Sequence, residues 1–242
     1  MKEYLRAVNK TNEVILKDKF ISNNELERFS KSDYRWASNK EKIHTKRTIH
    51  KGDIFQFEFG KNYSPEMSYE HRGLVIGVKN KLLYVLPICS YDATKHPDVF
   101  HPTDNPASKS DWYLLKALEY NFIEHDSVLK LNDLRTVSVN RILYHQKDGK
   151  IDCSSEVYRC IEKLVITKCF PSFMYEFGQM LEQNTILKEK CEEQESNIKN
   201  LQKSLSAIYE CLHNVLEDVD VPEDVLQKIK EFEKIHSVKE NT

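Results

Sequence analysis

Apolar and polar residues follow strand-like spacing through the middle of the chain. Residues 54–59 alternate from Phe55 onward, which predicts a half-buried strand. In the segment 72–78, Arg72 is followed by an uninterrupted run of apolar residues and glycines that is rich in β-branched side chains. This run predicts a strand buried on both faces. A turn at 79–81 follows this strand. Further strands are predicted at 82–88, 112–115, 127–131, 134–138 and 141–145, and a second turn is predicted at 147–150.

Beyond residue 171 the apolar spacing becomes that of a heptad helix. Eleven of thirteen positions along one stripe, here called the seam, are apolar, and the exceptions are Asn184 and Gln194. This stripe predicts a coiled coil over 172–218 in which the two polar positions fix the register. The alternative is a long helix folded back on its own chain. The seam consists of Phe173, Phe177, Met180, Asn184, Leu187, Cys191, Gln194, Ile198, Leu201, Leu205, Ile208, Leu212 and Val215.

Capping residues mark shorter helices that begin near Ser22, Ser155 and Pro222. Together with the strands they predict an α+β protein. Its centre is a small antiparallel β-barrel, flanked by an N-terminal helical extension and a long C-terminal coiled-coil helix. The expected divisions are a partly helical basic extension at 1–50, the barrel at 51–171, the coiled coil at 172–218 and a short acidic amphipathic helix with a tail at 219–242.

The charge of the chain changes sign along its length. The 242 residues carry a net charge of -2, but residues 1–51 hold 13 Lys and Arg against 7 Asp and Glu. Residues 171–242 hold 8 against 15, so a basic front and an acidic rear flank a nearly neutral middle. The basic front could contact the phosphates of a nucleic acid, or it could pack against the acidic rear helix of the same or a partner chain.

The composition of the chain excludes collagen-like, linker-like and membrane-spanning proteins. Gly is scarce at 6 residues, and the apolar runs are far shorter than the roughly 20 residues that span a bilayer. We therefore expect no membrane association, and the absence of an apolar leader predicts a cytoplasmic protein. The six cysteines and the histidines follow no metal-binding spacing, which predicts reduced thiols, no metal and no cofactor.

Four segments follow one another through the middle of the chain: KGDIFQFEFG (51–60), PEMSYEHRGLVI (65–76), LYVLPICS (83–90) and SVLKLNDLRTVSVNRI (127–142). In this order they resemble the MazF/PemK family of bacterial toxin endoribonucleases. The resemblance implies an SH3-like barrel of the plasmid-maintenance toxin type that cleaves single-stranded RNA without a metal, through attack by the 2′-hydroxyl. It also implies a homodimer and a possible antitoxin protein as partner.

The resemblance assigns the catalytic arginine to Arg72 and the loop glutamate to Glu66. An arginine suits this role because its planar fork can hold two phosphate oxygens as charge develops on them. The alternative is an ordinary ion pair of Arg72 with Glu66 or Glu70. The family's catalytic threonine falls on Cys89, a weaker donor unless Arg72 lowers its pKa. Ser90 has the hydroxyl, but because it is the next strand residue it would need a bulge or register slip to substitute.

The polar loop before Arg72 supplies candidate RNA-binding residues. Lys61 could contact phosphate, Asn62 could recognise a base through its amide, and Tyr69 could stack on a base. Ser64 lies in the same loop, and His71 is the histidine that we place nearest the RNA. Simple solvation of a surface loop is the alternative.

Two hypotheses about function follow. The first is a metal-independent endoribonuclease of the toxin type, with Arg72, Glu66, Cys89 and Ser90 as candidate catalytic residues. The second is a weakened or inactive relative that binds RNA or protein as a scaffold and oligomerises through its coiled coil. Cys89 in the threonine position favours the second hypothesis.

Overall fold

A computed structural model describes residues 1–41, 48–217 and 222–237. The basic residues at 42–47, the tail at 238–242 and the side chain of Val215 lie outside the described residues. The chain forms two compact units, Met1–Met174 and Tyr175–Thr242. The helices are α1 (Lys2–Lys17), α2 (Asn23–Asn39), α3 (Glu156–Cys169), α4 (Pro171–Glu217) and α5 (Glu223–Ser237), and the strands are β1 (Asp53–Glu58), β2 (Glu70–Lys79), β3 (Leu82–Ser90), β4 (Trp112–Leu115), β5 (Ser127–Lys130), β6 (Arg135–Ser138) and β7 (Ile142–Lys150).

Seven strands form one antiparallel sheet in the first unit, which confirms the α+β class. Six strands follow the order β4-β5-β3-β2-β1-β7, and β6 also pairs with β3. The first half of the long strand β3 pairs with β6, and its last three residues pair with β5. The sheet therefore curls along β3.

The prediction of an SH3-like barrel is wrong in one respect, because the sheet does not close. Among the described strands, β4 and β7 lie at the two ends of the sheet and do not pair with each other. Helix α3 instead covers one apolar face, where Tyr158, Ile161 and Val165 pack against side chains of the sheet. A helix that buries this face removes the need for the sheet to bury it by closing on itself.

Strand β1 separates two hydrophobic clusters. Phe55, Phe57 and Phe59 all belong to one cluster, which confirms the predicted alternation. The strand is not half-buried, however, because Ile54 on its other face belongs to the cluster beneath α3. Both faces of β1 are therefore covered, and it is a central strand of the fold.

Two predictions about the neighbouring strands are also corrected. In β2 the residues Gly73, Leu74 and Val75 are buried, but Val78 is 41% exposed, so the strand is not buried on both faces throughout. The turn expected at 147–150 is instead part of β7. There the pairing with β1 skips residues in a bulge, and Asp148 has a φ of +53°.

Gly73 is required by close packing between β1 and β3. A Cβ atom at this position would overlap Val85 and lie 2.8 Å from a ring carbon of Phe57. We expect Gly73→Ala to lower the free energy of unfolding by about 1–3 kcal/mol, because the core must shift to admit the methyl group. Urea unfolding followed by tryptophan fluorescence measures this change.

Gly178→Ala is the matched control for Gly73→Ala. Gly178 lies within α4, and a Cβ there would meet nothing within 4 Å. The substitution should leave the fluorescence transition unchanged and increase helix stability by up to about 1 kcal/mol. Equal midpoints for the Gly73→Ala variant and the wild type would contradict the packing argument.

The long helix predicted near the C-terminus is confirmed as α4, which has 47 residues. Helix α1 was foreseen only as part of a partly helical extension. Within the described ranges, we find no helix with the length and apolar character that crossing a bilayer requires.

Candidate functional site

The register of three strands aligns Arg72 with Gln56 and Tyr144. Gln56 of β1 pairs with Arg72 of β2 on one side and with Tyr144 of β7 on the other. Directly paired residues on antiparallel strands project from the same face of a sheet. Because Leu74 and Ile54, two residues away from Arg72 and Gln56, belong to the cluster beneath α3, this polar row marks the edge of that core.

The polar row opens into a cleft of about 460 Å³, here called the Arg72 cleft. One wall comes from the segment before β5, which contributes Phe122, Glu124 and His125. The Arg72 guanidinium donates hydrogen bonds to the carbonyl oxygen of Phe122 and to Oγ of Ser127, both at 3.4 Å. The full lining is Gln56, Arg72, Asn121, Phe122, Glu124, His125, Tyr144, Gln146, Lys147 and Asp148.

Ser90 is placed on the same face as Arg72. Arg72 pairs with Ile88 of β3, and Ser90 lies two residues further along that strand, so no bulge or register slip is needed. Oγ of Ser90 is hydrogen-bonded to Nε2 of His125 at 2.8 Å. Ser127, which pairs with Ser90, donates to the carbonyl oxygen of His125 at 3.1 Å. The two serines therefore hold both the ring and the backbone of a histidine that lines the cleft.

Cys89 alternates with Ser90 and so belongs to the opposite face of β3. Burial raises the pKa of the Cys89 thiol, although Lys130 and Arg72 oppose the rise. The thiol therefore stays protonated at neutral pH. The condition under which it could assist catalysis, a pKa lowered by Arg72, is not met.

The charge of Arg72 is partly desolvated. Burial lowers the pKa of the guanidinium, and Glu124 opposes this change. An arginine remains charged at neutral pH even so, because its ordinary pKa lies far above neutral pH. Glu66 and Glu70 do not neutralise it, since they form ion pairs with Arg135 at 3.9 Å and Arg35 at 2.6 Å. A half-buried cation that contacts neutral oxygens is suited to bind an anionic ligand.

Glu66, Tyr69 and His71 line a different cleft. His71 pairs with Phe57, so it lies on the face opposite Arg72 despite being its neighbour in sequence. Arg28 of α2 donates to Nε2 of His71 at 3.4 Å, and its guanidinium carbon lies 5.3 Å from the ring centre of Tyr69. The Arg28 guanidinium therefore lies over one face of the Tyr69 ring, which was predicted to stack on a base.

The remaining loop residues predicted to bind RNA make contacts within the chain. The Asn62 amide donates to the carbonyl oxygens of Phe59 and Met67, at 3.2 and 2.8 Å. Lys61 forms an ion pair with Asp33 of α2 at 2.6 Å. Ser64 is exposed and precedes a cis proline. The Arg72 cleft is lined by none of the predicted RNA-binding and loop residues, namely Lys61, Asn62, Ser64, Glu66, Tyr69 and His71.

Helix α2 contacts this second group through Arg28 and Asp33. It also binds Glu58 and Glu70, which by register lie on the same face as Arg72. Glu58 is 7% exposed, and its carboxylate accepts hydrogen bonds at 3.0 Å from Ser32 and Arg35. Arg35 also binds Glu70, so one arginine holds two strands of the sheet. Part of the basic front therefore serves to attach α2 to the sheet.

His71 should make stability depend on pH. Burial and the nearby Arg28 lower the pKa of His71 to about 4 from an ordinary value of 6.5. Between these values the unfolded chain binds a proton that the folded chain does not, so stability is lost as pH falls from 6.5 towards 4. We expect a loss of at most about 3 kcal/mol, which His71→Gln should reduce. Urea unfolding at a series of pH values measures it, and an unchanged slope in the variant would contradict this assignment.

Sequence patterns did not assign His125 and Tyr144, which line the cleft, or Ser127, which contacts Arg72, to the site. Ser127 begins the segment SVLKLNDLRTVSVNRI, so its neighbourhood was marked, but nothing indicated a contact with Arg72. His125 belongs to no motif. Among the described residues, no three His, Cys, Asp or Glu side chains are placed so that they could hold a metal ion.

No protein-family model matches the chain, and no curated protein matches it either. The family therefore remains a resemblance carried by four segments, and the cleft has to be interpreted from its own geometry.

Proposed function

We propose that the protein is an endoribonuclease of the MazF/PemK type that cleaves single-stranded RNA in the Arg72 cleft. The observation that carries the proposal is the half-buried Arg72 in a cleft that His125 also lines, with the His125 ring bound to Ser90. Charge stabilisation and proton transfer are the two functions that RNA cleavage requires when no metal takes part. The resemblance of the four segments supports RNA as the substrate and an antitoxin protein as a partner.

The reaction begins with attack by a 2′-hydroxyl on the adjacent phosphorus. His125 takes the hydroxyl proton while the new bond forms between O2′ and phosphorus. Arg72 donates two hydrogen bonds to the phosphorane oxygens through its planar fork. The bond from phosphorus to O5′ then breaks, and the departing oxygen takes a proton from Tyr144. The products are a 2′,3′-cyclic phosphate and a 5′-hydroxyl.

Other residues of the cleft position the RNA. Lys147 is a cation for a neighbouring phosphate, and Gln56 and Asn121 offer amide groups to sugar or base edges. Ser90 acts through His125 by holding its ring, so it is a positioning residue. Cys89 has no part in the reaction in this proposal, because its thiol belongs to the opposite face and stays protonated.

A scaffold that binds RNA or protein without cutting it is the second candidate. Cys89 in the position of the family's threonine favours it. The Cys89→Thr variant distinguishes the two functions. If the wild type cleaves RNA and the variant cleaves it at a similar rate, the result supports a site built on Ser90 and His125. A large gain of cleavage from an inactive wild type indicates a decayed site and supports the scaffold.

Incubation of the purified protein with a long unstructured RNA tests the proposed function. We expect cleavage at a limited set of sites, at the same rate with and without EDTA, and growth arrest when the protein is expressed. RNA that stays intact under all of these conditions, together with normal growth, would exclude the nuclease.

A further inference from the structure

Helix α4 exposes a continuous apolar seam in the single chain. The helix runs without interruption from Pro171 to Glu217. The aliphatic seam residues of its described part are between 39% and 69% exposed, among them Met180, Leu187, Ile198, Leu201, Leu205, Ile208 and Leu212. A stripe of this length at heptad spacing is buried most simply by a second helix with the same repeat.

We propose that α4 forms a parallel, in-register coiled coil with α4 of a second copy of this chain. The two polar seam residues, Asn184 and Gln194, indicate that the partner is a second, parallel copy of α4. In a parallel, in-register pair, Asn184 meets Asn184 and Gln194 meets Gln194, so each amide can hydrogen-bond to its equivalent across the seam.

An antiparallel pair cannot satisfy these residues and also bury the whole seam. With the two helices fully overlapped, Asn184 lies opposite an aliphatic residue such as Leu201. Moving the helices so that Asn184 meets Gln194 places Ile208 and Leu212 beyond Pro171 of the other helix. Either arrangement leaves polar groups unsatisfied or apolar groups in water.

The charges flanking the seam agree with the parallel arrangement. Lys190 precedes the seam residue Cys191, and Glu195 follows the seam residue Gln194. In a parallel coiled coil these flanking positions of the two helices face each other, so Lys190 of each copy lies near Glu195 of the other. The pairing also brings the two Pro171 residues to the same end, and it does not depend on the proposed nuclease activity.

Cys191 provides a direct test, because it is a seam residue that meets its own copy only in this arrangement. The full chain is oxidised with copper phenanthroline and analysed on a non-reducing gel, after light scattering of the reduced protein. We expect a mass of twice 28.5 kDa before oxidation and a covalent dimer after it. Cys191→Ser should abolish the covalent dimer, whereas Cys153→Ser and Cys211→Ser should retain it.

A matched variant moves the thiol by one residue, to the outer face of the helix. Cys191→Ser combined with Glu192→Cys should form the covalent dimer at least about tenfold more slowly, because outer positions do not meet across the seam. Leu201→Asp should weaken the dimer, and Ser206→Asp on the outer face should not. A mass of 28.5 kDa at micromolar concentration, or a dimer that Cys191 cannot cross-link, would overturn the proposal.

Discussion

Replacing Arg72 with alanine is expected to lower the rate of RNA cleavage by about 100- to 1,000-fold, the usual effect of removing one donor to a developing oxyanion. The guanidinium is half-buried at the edge of the core, and its two hydrogen bonds, both 3.4 Å long, go to the neutral oxygens of Phe122 and Ser127. Its charge is therefore available to a phosphate. Single-turnover cleavage of a defined oligonucleotide measures the change in the chemical step.

Arg72→Lys is the informative companion of Arg72→Ala. Lysine keeps the charge but loses the fork, so we expect RNA binding to be retained and the cleavage rate to remain low. Lys61→Ala removes a cation that lies outside the Arg72 cleft and is already paired with Asp33, so it should leave the rate unchanged. Equal losses in the Arg72→Ala and Lys61→Ala variants would show that only overall charge matters.

His125→Gln is expected to reduce the cleavage rate by about 100-fold or more, because glutamine can bind Ser90 but cannot transfer a proton. The ring of His125 is held by Ser90 at 2.8 Å and lines the same cleft as Arg72. Single-turnover cleavage of the same defined oligonucleotide measures the change.

His71→Gln is the matched control for His125→Gln. His71 is adjacent to Arg72 in sequence but lies on the opposite face, where Arg28 binds it. The variant should cleave RNA at the wild-type rate. Ser90→Ala should cost less than His125→Gln, since it removes only the group that positions the ring. A large loss in the His71→Gln variant with none in the His125→Gln variant would place the chemistry on the other face.

Local patterns in the sequence were sufficient to predict most strands and the long helix. The alternation of Phe55, Phe57 and Phe59 depends only on neighbouring residues, and the seam of α4 repeats over many turns. Closure of the barrel depends on distant contacts instead. The end strands β4 and β7 do not pair with each other, and α3 covers one face of the sheet. Both features depend on residues too far apart in the sequence for a local pattern to predict them.

Only those parts of the candidate site that depend on local sequence could be predicted. Arg72 was identified by its motif, but His125 lies 35 residues from its partner Ser90, and only the pairing of β3 with β5 brings them together. The separation of His71 from Arg72 could have been predicted, since neighbouring residues on a strand project from opposite faces. The contacts of Lys61 with α2 could not, because they depend on how that helix packs.

The most direct measurement compares two oligonucleotides that differ by one oxygen atom. One is an RNA with a single cleavage site, and the other carries a 2′-deoxy sugar on the 5′ side of the scissile phosphate. In the presence of EDTA, wild-type protein should cut the RNA to a 2′,3′-cyclic phosphate and leave the deoxy substrate intact. Cleavage of both at equal rates, or of neither, would contradict a ribonuclease built around Arg72 and His125.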